Sequence, residues 1–153
     1  MNLEMLRKIE FFNLLSEKEL ELIYNSCFII TKSKNNILFY EGETAKSFYF
    51  LLQGSLKLYK SGTMGKEVII DEFNNPTIFA EVATLQETTF PTTAIITSNV
   101  SKIAIMEKDI LEKYVVTNFI ELKEKLAHIW AINITSGSSD ELEKKLSNLY
   151  HAP

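Results

Sequence analysis

Cysteine and arginine are almost missing from this sequence: Cys27 and Arg7 are the single representatives of each among 153 residues. One cysteine excludes an intrachain disulfide. With His128 and His151 as the only histidines, a four-ligand Cys/His zinc site cannot be assembled from the chain. An iron–sulfur cluster held by cysteines falls to the same count. The scarcity of arginine matters for phosphate, because the planar guanidinium is the usual bidentate partner of that group. Sixteen basic residues stand against 20 acidic ones, for a net charge of −4 and an isoelectric point near 5.3. With no long basic run, the chain is a poor nucleic-acid binder by itself. No window approaches the roughly 18–20 uninterrupted apolar residues of a membrane span. The opening residues, MNLEMLRKIEFF, lack the apolar stretch and small-residue cleavage site of a signal peptide. A cytoplasmic protein with no membrane partner is expected. What is present, 46% hydrophobic and 11% aromatic residues, suits one soluble domain with a substantial core.

The hydrophobic period changes twice. Leu3, Leu6 and Ile9, then Leu20, Ile23 and Tyr24, fall near helical spacing. Ser16 followed by Glu19 predicts a capping box, with Leu15 as a staple. From Cys27 to Met106 the pattern is short and strand-like: CFIITK, NILFYEGE, SFYFLLQG, SLKLYKSG, EVIIDEF, TTAIITS and SKIAIM, each bounded by turn residues. Seven or eight short strands at regular spacing predict an antiparallel sandwich or jelly-roll barrel. AEVATLQETTFP, residues 80–91, breaks the rhythm with helical composition and a closing proline.

After Met106 the helical period returns, first in a short helix over 107–114. A long helix then runs from about Asn118, with Phe119, Leu122, Leu126, Ile129 and Asn133 on one stripe. Such a stripe needs a cover, and dimerisation would supply one. TSGSSD, residues 135–140, weakens the helix at Gly137 before Leu142, Leu146 and Leu149 resume a stripe out of phase. The expected organisation is mainly β with flanking helices. Residues 1–117 would form N-terminal helices and a barrel, and residues 118–153 the dimerisation helix and the start of a hinge.

This order of elements resembles the cyclic-nucleotide-binding fold, in particular the effector domain of bacterial Crp/Fnr-type transcription regulators. The resemblance rests on LSEKELELI (15–23), ILFYEGETAKSFYFLLQGSLKLYK (37–60), IFAEVATLQETTFPTTAIITSN (78–99) and AIMEKDILEKYVVTNFIEL (104–122). The third stretch aligns with the family's phosphate-binding cassette. The resemblance implies that backbone amides near Val82 and Ala83 face an anion, and that Glu81 accepts a hydrogen bond from a ribose hydroxyl. It makes Phe79, Ala80, Glu81, Val82, Ala83, Thr92 and Thr93 the candidate ligand-binding residues. Two positions depart from the family pattern. The glycine before the glutamate is Ala80, and the arginine after the proline is Thr92. No lysine lies between Lys66 and Lys102 to replace it. A threonine hydroxyl donates one hydrogen bond but cannot neutralise a phosphate, so cyclic AMP and cyclic GMP are expected to bind weakly or not at all. Ile78, Phe79, Val82 and Leu85, beside Thr92 and Thr93, would suit a neutral or partly apolar effector.

Other chemistry finds little support. A haem would need an axial ligand, and His128, one residue from the Ile129 stripe, reads as a surface or interface residue. Cys27 reads as a small buried hydrophobe, and Met64 as a turn residue on the surface. There is no Gly-x-Ser-x-Gly elbow and no Walker loop. Glu41/Glu43 and Asp71/Glu72 read as solvated turn acids, so no catalytic or metal residue is expected. A cupin-type enzyme would need histidines inside the barrel. The expected role is a bacterial sensor that binds a small effector, pairs with itself, and reaches DNA only through a helix-turn-helix domain absent from these residues. The alternative is a stand-alone module that regulates a partner protein.

Overall fold

The computed structural model describes residues 2–112 and 120–133. Three helical segments open the chain: α1 (Asn2–Arg7), a 3-10 helix (Glu10–Leu14) and α2 (Glu17–Asn25). The expected capping box is present. The Glu19 amide donates to Ser16 Oγ at 3.2 Å, and the Ser16 amide donates to Glu19 Oε1 at 2.8 Å. Leu15 and Leu20 flank the cap and are both buried, as a hydrophobic staple requires.

Eight strands follow: β1 (Phe28–Ser33), β2 (Ile37–Phe39), β3 (Ser47–Gln53), β4 (Leu56–Ser61), β5 (Glu67–Phe73), β6 (Thr77–Phe79), β7 (Thr93–Ile96) and β8 (Val100–Glu107). They pair antiparallel in two four-stranded sheets, β1-β8-β3-β6 and β2-β7-β4-β5. That interleaving is a jelly roll. The chain is mainly β with flanking helices, as its turn spacing predicts. A short helix, α3 (Glu81–Leu85), interrupts the strands between β6 and β7. α4 (Lys108–Ile110) and α5 (Ile120–Asn133) follow β8. Of the helix expected over 107–114, the described part is α4 continued by Leu111 and Glu112, and Lys113 and Tyr114 lie outside the described residues. Strand β6 was hidden in the sequence, because three residues after the Asn74-Asn75-Pro76 turn are too short for an alternation to register.

Period-two alternation divides the apolar residues between two cores. On β3, Phe48, Phe50 and Leu52 join Leu6, Ile9, Phe12, Leu20 and Ile23 in a core between the first sheet and the helices. Tyr49 and Leu51 face the other way, into a core between the sheets with Phe39, Leu56, Phe79, Phe90 and Ile103. Strand β3 is therefore buried on both faces, which is why its sequence runs apolar without polar alternation.

The C-terminal helix completes the helix-side core. Leu122 and Leu126 are both buried there, and Lys125 Nζ donates to Glu19 Oε1 of the capping box. At these two positions the chain's own N-terminal helices cover the stripe for which a partner was expected. Phe119 and residues 134–153, including Gly137, Leu142, Leu146 and Leu149, lie outside the described residues. So do the side chains of Ile129 and Asn133.

Candidate ligand-binding cassette

The cassette begins at the end of β6 and returns along the segment before β3. Phe79 is buried between the sheets. Ala80 then takes the left-handed conformation, φ 59° and ψ 20°, and precedes α3 without a side-chain cap. An L-residue with a Cβ is held there at a cost of about 1–2 kcal/mol, which explains why a glycine suits this position. The single turn of α3 straddles both cores. Ala83 packs between the sheets, and Leu85 packs on the helix side. Thr84 Oγ1 donates to the Ser47 carbonyl at 2.7 Å and pins the helix to β3. Glu87 ends the turn in a second left-handed conformation, φ 57°. The return then zips onto residues 42–45: Ala45 N to Thr88 O at 3.0 Å, Phe90 N to Glu43 O at 2.9 Å, and Gly42 N to Phe90 O at 2.8 Å.

The seven candidate residues do not share one face. Phe79, Ala83, Thr92 and Thr93 are buried, whereas Val82 is 36% exposed. Ile78 and Leu85, expected beside Phe79 on one apolar wall, belong to the helix-side core instead. Consecutive strand residues face opposite ways, so Ile78 and Phe79 cannot line the same surface. The Thr93 hydroxyl accepts from the Glu41 amide at 2.9 Å, so it already serves the turn before β3. Glu81 is half-buried. Burial pushes its carboxyl above the ordinary value, and a hydrogen bond from its own amide only partly opposes that.

Behind the cassette the barrel interior is packed with rings. Phe39 stacks on Phe90 at a centroid distance of 3.8 Å, and Tyr49 lies 5.1 Å from Phe39. Phe79 stands 6.3 Å from Phe39 and 6.1 Å from Phe73. Two clefts adjoin the cassette's return. One, of about 580 Å³, is lined by Thr44–Ser47, Glu87, Glu107–Asp109 and Glu112. The other, of about 400 Å³, is lined by Glu43, Thr44, Lys46, Ser47, Tyr49 and Phe90. Neither is lined by the seven candidates. Sequence reasoning missed Glu87 and Lys108 as cleft residues, because only tertiary structure sets the cassette's return beside the end of β8.

The single arginine lies away from the cassette. Arg7 is held by Glu17 at 2.9 Å and Glu4 at 3.5 Å on the N-terminal helices. His128, the one histidine among the described residues, is exposed on α5. Cys27 donates its thiol proton to the Ile23 carbonyl at 3.2 Å, and burial pushes its pKa to about 12. A thiol so protonated is a poor nucleophile. Met64 is almost fully exposed. Among the described residues, no group of three His, Cys, Asp or Glu side chains is placed to hold a metal ion, and no helix is long and apolar enough to cross a membrane.

Residues 30–118 match the family described as cyclic nucleotide-binding domain. An uncharacterised protein of Haemophilus influenzae is 38% identical over 68 residues, which cover 39% of this chain and 53% of that protein. The match thus spans about half the length of that curated relative. Among solved structures, the N-terminal domain of a transcriptional regulator from Streptomyces coelicolor superposes with a TM-score of 0.75 at 19% identity, covering 84% of this chain and 91% of that one. The sensor domain of the transcriptional regulator DNR from Pseudomonas aeruginosa gives 0.67 at 22% identity, covering 88% and 94%. The catabolite activator protein of Thermus thermophilus gives 0.69 at 17% identity, covering 90% of this chain and 62% of that chain. At these identities the likeness is one of fold.

Proposed function

The chain belongs to the cyclic nucleotide-binding domain family, and from that premise we propose that it is the sensor domain of a transcription regulator whose effector is not a cyclic nucleotide. The observation that carries this reading is the cassette's missing cation. Thr92 stands where the family resemblance calls for arginine, and the one arginine of the chain is paired with Glu17 and Glu4 on the N-terminal helices. A buried phosphate without a cationic partner forfeits a charge-assisted contact of about 1.5–3 kcal/mol.

The effector that suits the remaining groups is neutral or partly apolar and carries a hydroxyl or amide donor. Glu81 is the natural acceptor for that donor. Ala80 and Val82 would contribute backbone and apolar contact at the surface of the cassette, and Phe79, Ala83, Thr92 and Thr93 would support it from beneath. The role is binding rather than catalysis. On this reading the protein works in the bacterial cytoplasm, pairs with a second copy, and reaches DNA through a separate DNA-binding domain. Because Leu122 and Leu126 are covered within the chain, a pairing surface on α5 would draw on its other faces.

Native mass spectrometry of the purified protein, with an absorption spectrum of the same sample, tests the reading first. A dimer with added mass and no Soret band is expected. Calorimetry with cyclic AMP sharpens it. The natural protein is expected to give no heat at millimolar nucleotide, and Thr92→Arg to gain at least about tenfold in affinity. Tight binding of cyclic AMP by the natural protein would overturn the proposal.

A further inference from the structure

The cleft of about 400 Å³ beside the cassette's return is lined by two opposite charges, Glu43 and Lys46. They do not neutralise each other. Among the described residues neither side chain has an ion-pair or hydrogen-bond partner. The neighbouring cleft is the contrast. There Lys108 is ion-paired to Glu87 and, at 3.3 Å, to Glu112, so those three charges answer one another within the chain. The backbone beneath Glu43 and Lys46 is fixed. The Glu43 amide donates to the Tyr40 carbonyl at 3.1 Å, the Glu43 carbonyl accepts from the Phe90 amide at 2.9 Å, and the Lys46 carbonyl accepts from the Lys108 amide at 2.9 Å. The inner wall is aromatic. Tyr49 and Phe90 meet edge to face, with ring centroids 6.0 Å apart and planes at 70°. The Tyr49 hydroxyl has no hydrogen-bond partner among the described residues. Burial, and then the charge of Glu43, push this phenol above its ordinary value, so at neutral pH it is a donor.

We propose that this cleft binds a small zwitterion of the α-amino-acid type with an apolar or aromatic side chain. Glu43 takes the ammonium, Lys46 takes the carboxylate, the Tyr49 hydroxyl adds a second donor, and the side chain rests against the rings of Tyr49 and Phe90. The charge pattern selects this class. A ligand with a single charge would satisfy one of the two groups and be repelled by the other, whereas a zwitterion meets both at once. Charge-assisted hydrogen bonds at both ends fix its orientation, and the aromatic corner rewards an apolar side chain. The volume lies within the range of about 300–1,000 Å³ usual for small-molecule sites. Because the backbone that carries the two charges is already tied down, little ordering is left to oppose binding. None of the seven cassette candidates lines this cleft, so the inference goes beyond the sensor reading and does not rest on it.

Calorimetry of the full chain with L-phenylalanine and L-leucine tests the site. Saturable binding of at least one of them is expected below about 5 mM. For whichever binds, the amine lacking the carboxylate and the acid lacking the ammonium should each bind at least about tenfold more weakly. With phenylalanine these probes are 2-phenylethylamine and 3-phenylpropionate. Glu43 and Lys46 are both exposed, so their substitution spares the fold. Lys46→Gln should abolish the preference for the amino acid over the amine, and Glu43→Gln its preference over the acid. Tyr49→Phe, which keeps the ring, should weaken binding by roughly three- to tenfold. The absence of saturable heat for both amino acids overturns the proposal. So does binding that survives Glu43→Gln and Lys46→Gln unchanged. Glu81→Gln separates this site from the cassette. Amino-acid binding lost in Glu81→Gln but kept in the two cleft variants overturns the cleft proposal and leaves the sensor reading standing. Tight binding of cyclic AMP would overturn the sensor reading and leave the cleft proposal standing.

Discussion

Strands β3 and β5 have the same length, seven residues, and opposite environments. In β3, SFYFLLQ, Phe48, Phe50, Leu51 and Leu52 are fully buried. In β5, EVIIDEF, Val68, Ile69 and Ile70 are each about half exposed. Both contain three or more consecutive apolar residues, so hydrophobicity alone does not separate them. Position does. β3 lies between β8 and β6 in its sheet, with helices on one face and the second sheet on the other. β5 is an edge strand, bulged between Leu58 and Tyr59 of its partner β4. The bulge and the flanking Lys66, Glu67, Asp71 and Glu72 blunt the edge against pairing with other strands.

The comparison can be broken by one substitution on each strand. Phe50→Ala is expected to cost about 3–5 kcal/mol, whereas Ile69→Thr should stay within about 0.5 kcal/mol. Urea denaturation of the two variants measures the difference. A large loss for Ile69→Thr would mean that something covers β5 in solution.

A smaller effect is expected where the sheets close. Gly54, at the end of β3, has φ +96°, and a Cβ there would meet Ser98 Oγ, Ser101 Oγ and the Val100 carbonyl, the last at 2.7 Å. Those hydroxyls are bonded to each other at 2.6 Å, and Ser98 Oγ accepts from the Ser55 amide at 2.9 Å. Gly54→Ala is therefore expected to lower stability by about 1–3 kcal/mol. Ala80 shares the left-handed conformation without the crowding argument, so Ala80→Gly should act in the opposite direction. A gain of about 0.5–1 kcal/mol is expected, the relief of the left-handed Cβ being partly offset by the freer unfolded chain. A thermal melt of the two variants against the natural protein gives both signs.

Much of the architecture was legible in the residues. Ser16 and Glu19 announced the start of α2 because a capping box needs only local spacing. Turn residues at regular intervals announced the short strands, and the helical composition of 80–91 announced α3, although the helix ends at Leu85, well before Pro91. The cassette was legible as a segment but not as a surface. Ile78, Phe79, Val82 and Leu85 look alike in sequence, yet two sit on the helix side, one sits between the sheets, and one faces solvent. Leu122 and Leu126 were read correctly as an apolar stripe, but no spacing rule could tell that the chain's own N-terminal helices lie against them. The ion pair of Lys108 with Glu87 had no signal at all, since the two residues are 21 apart in the chain.

What the sequence determined by itself is local chemistry and composition. The caps, the turns, the strand rhythm, the single cysteine and the absence of an arginine from the cassette all follow from residue type and short spacing. Tertiary structure alone decided which face of each apolar run is covered, and which charges meet. Those outcomes depend on contacts between residues far apart in the chain. Leu85 and Leu122 enter one core, and Lys108 reaches the cassette, only because the jelly roll returns β8 alongside β3.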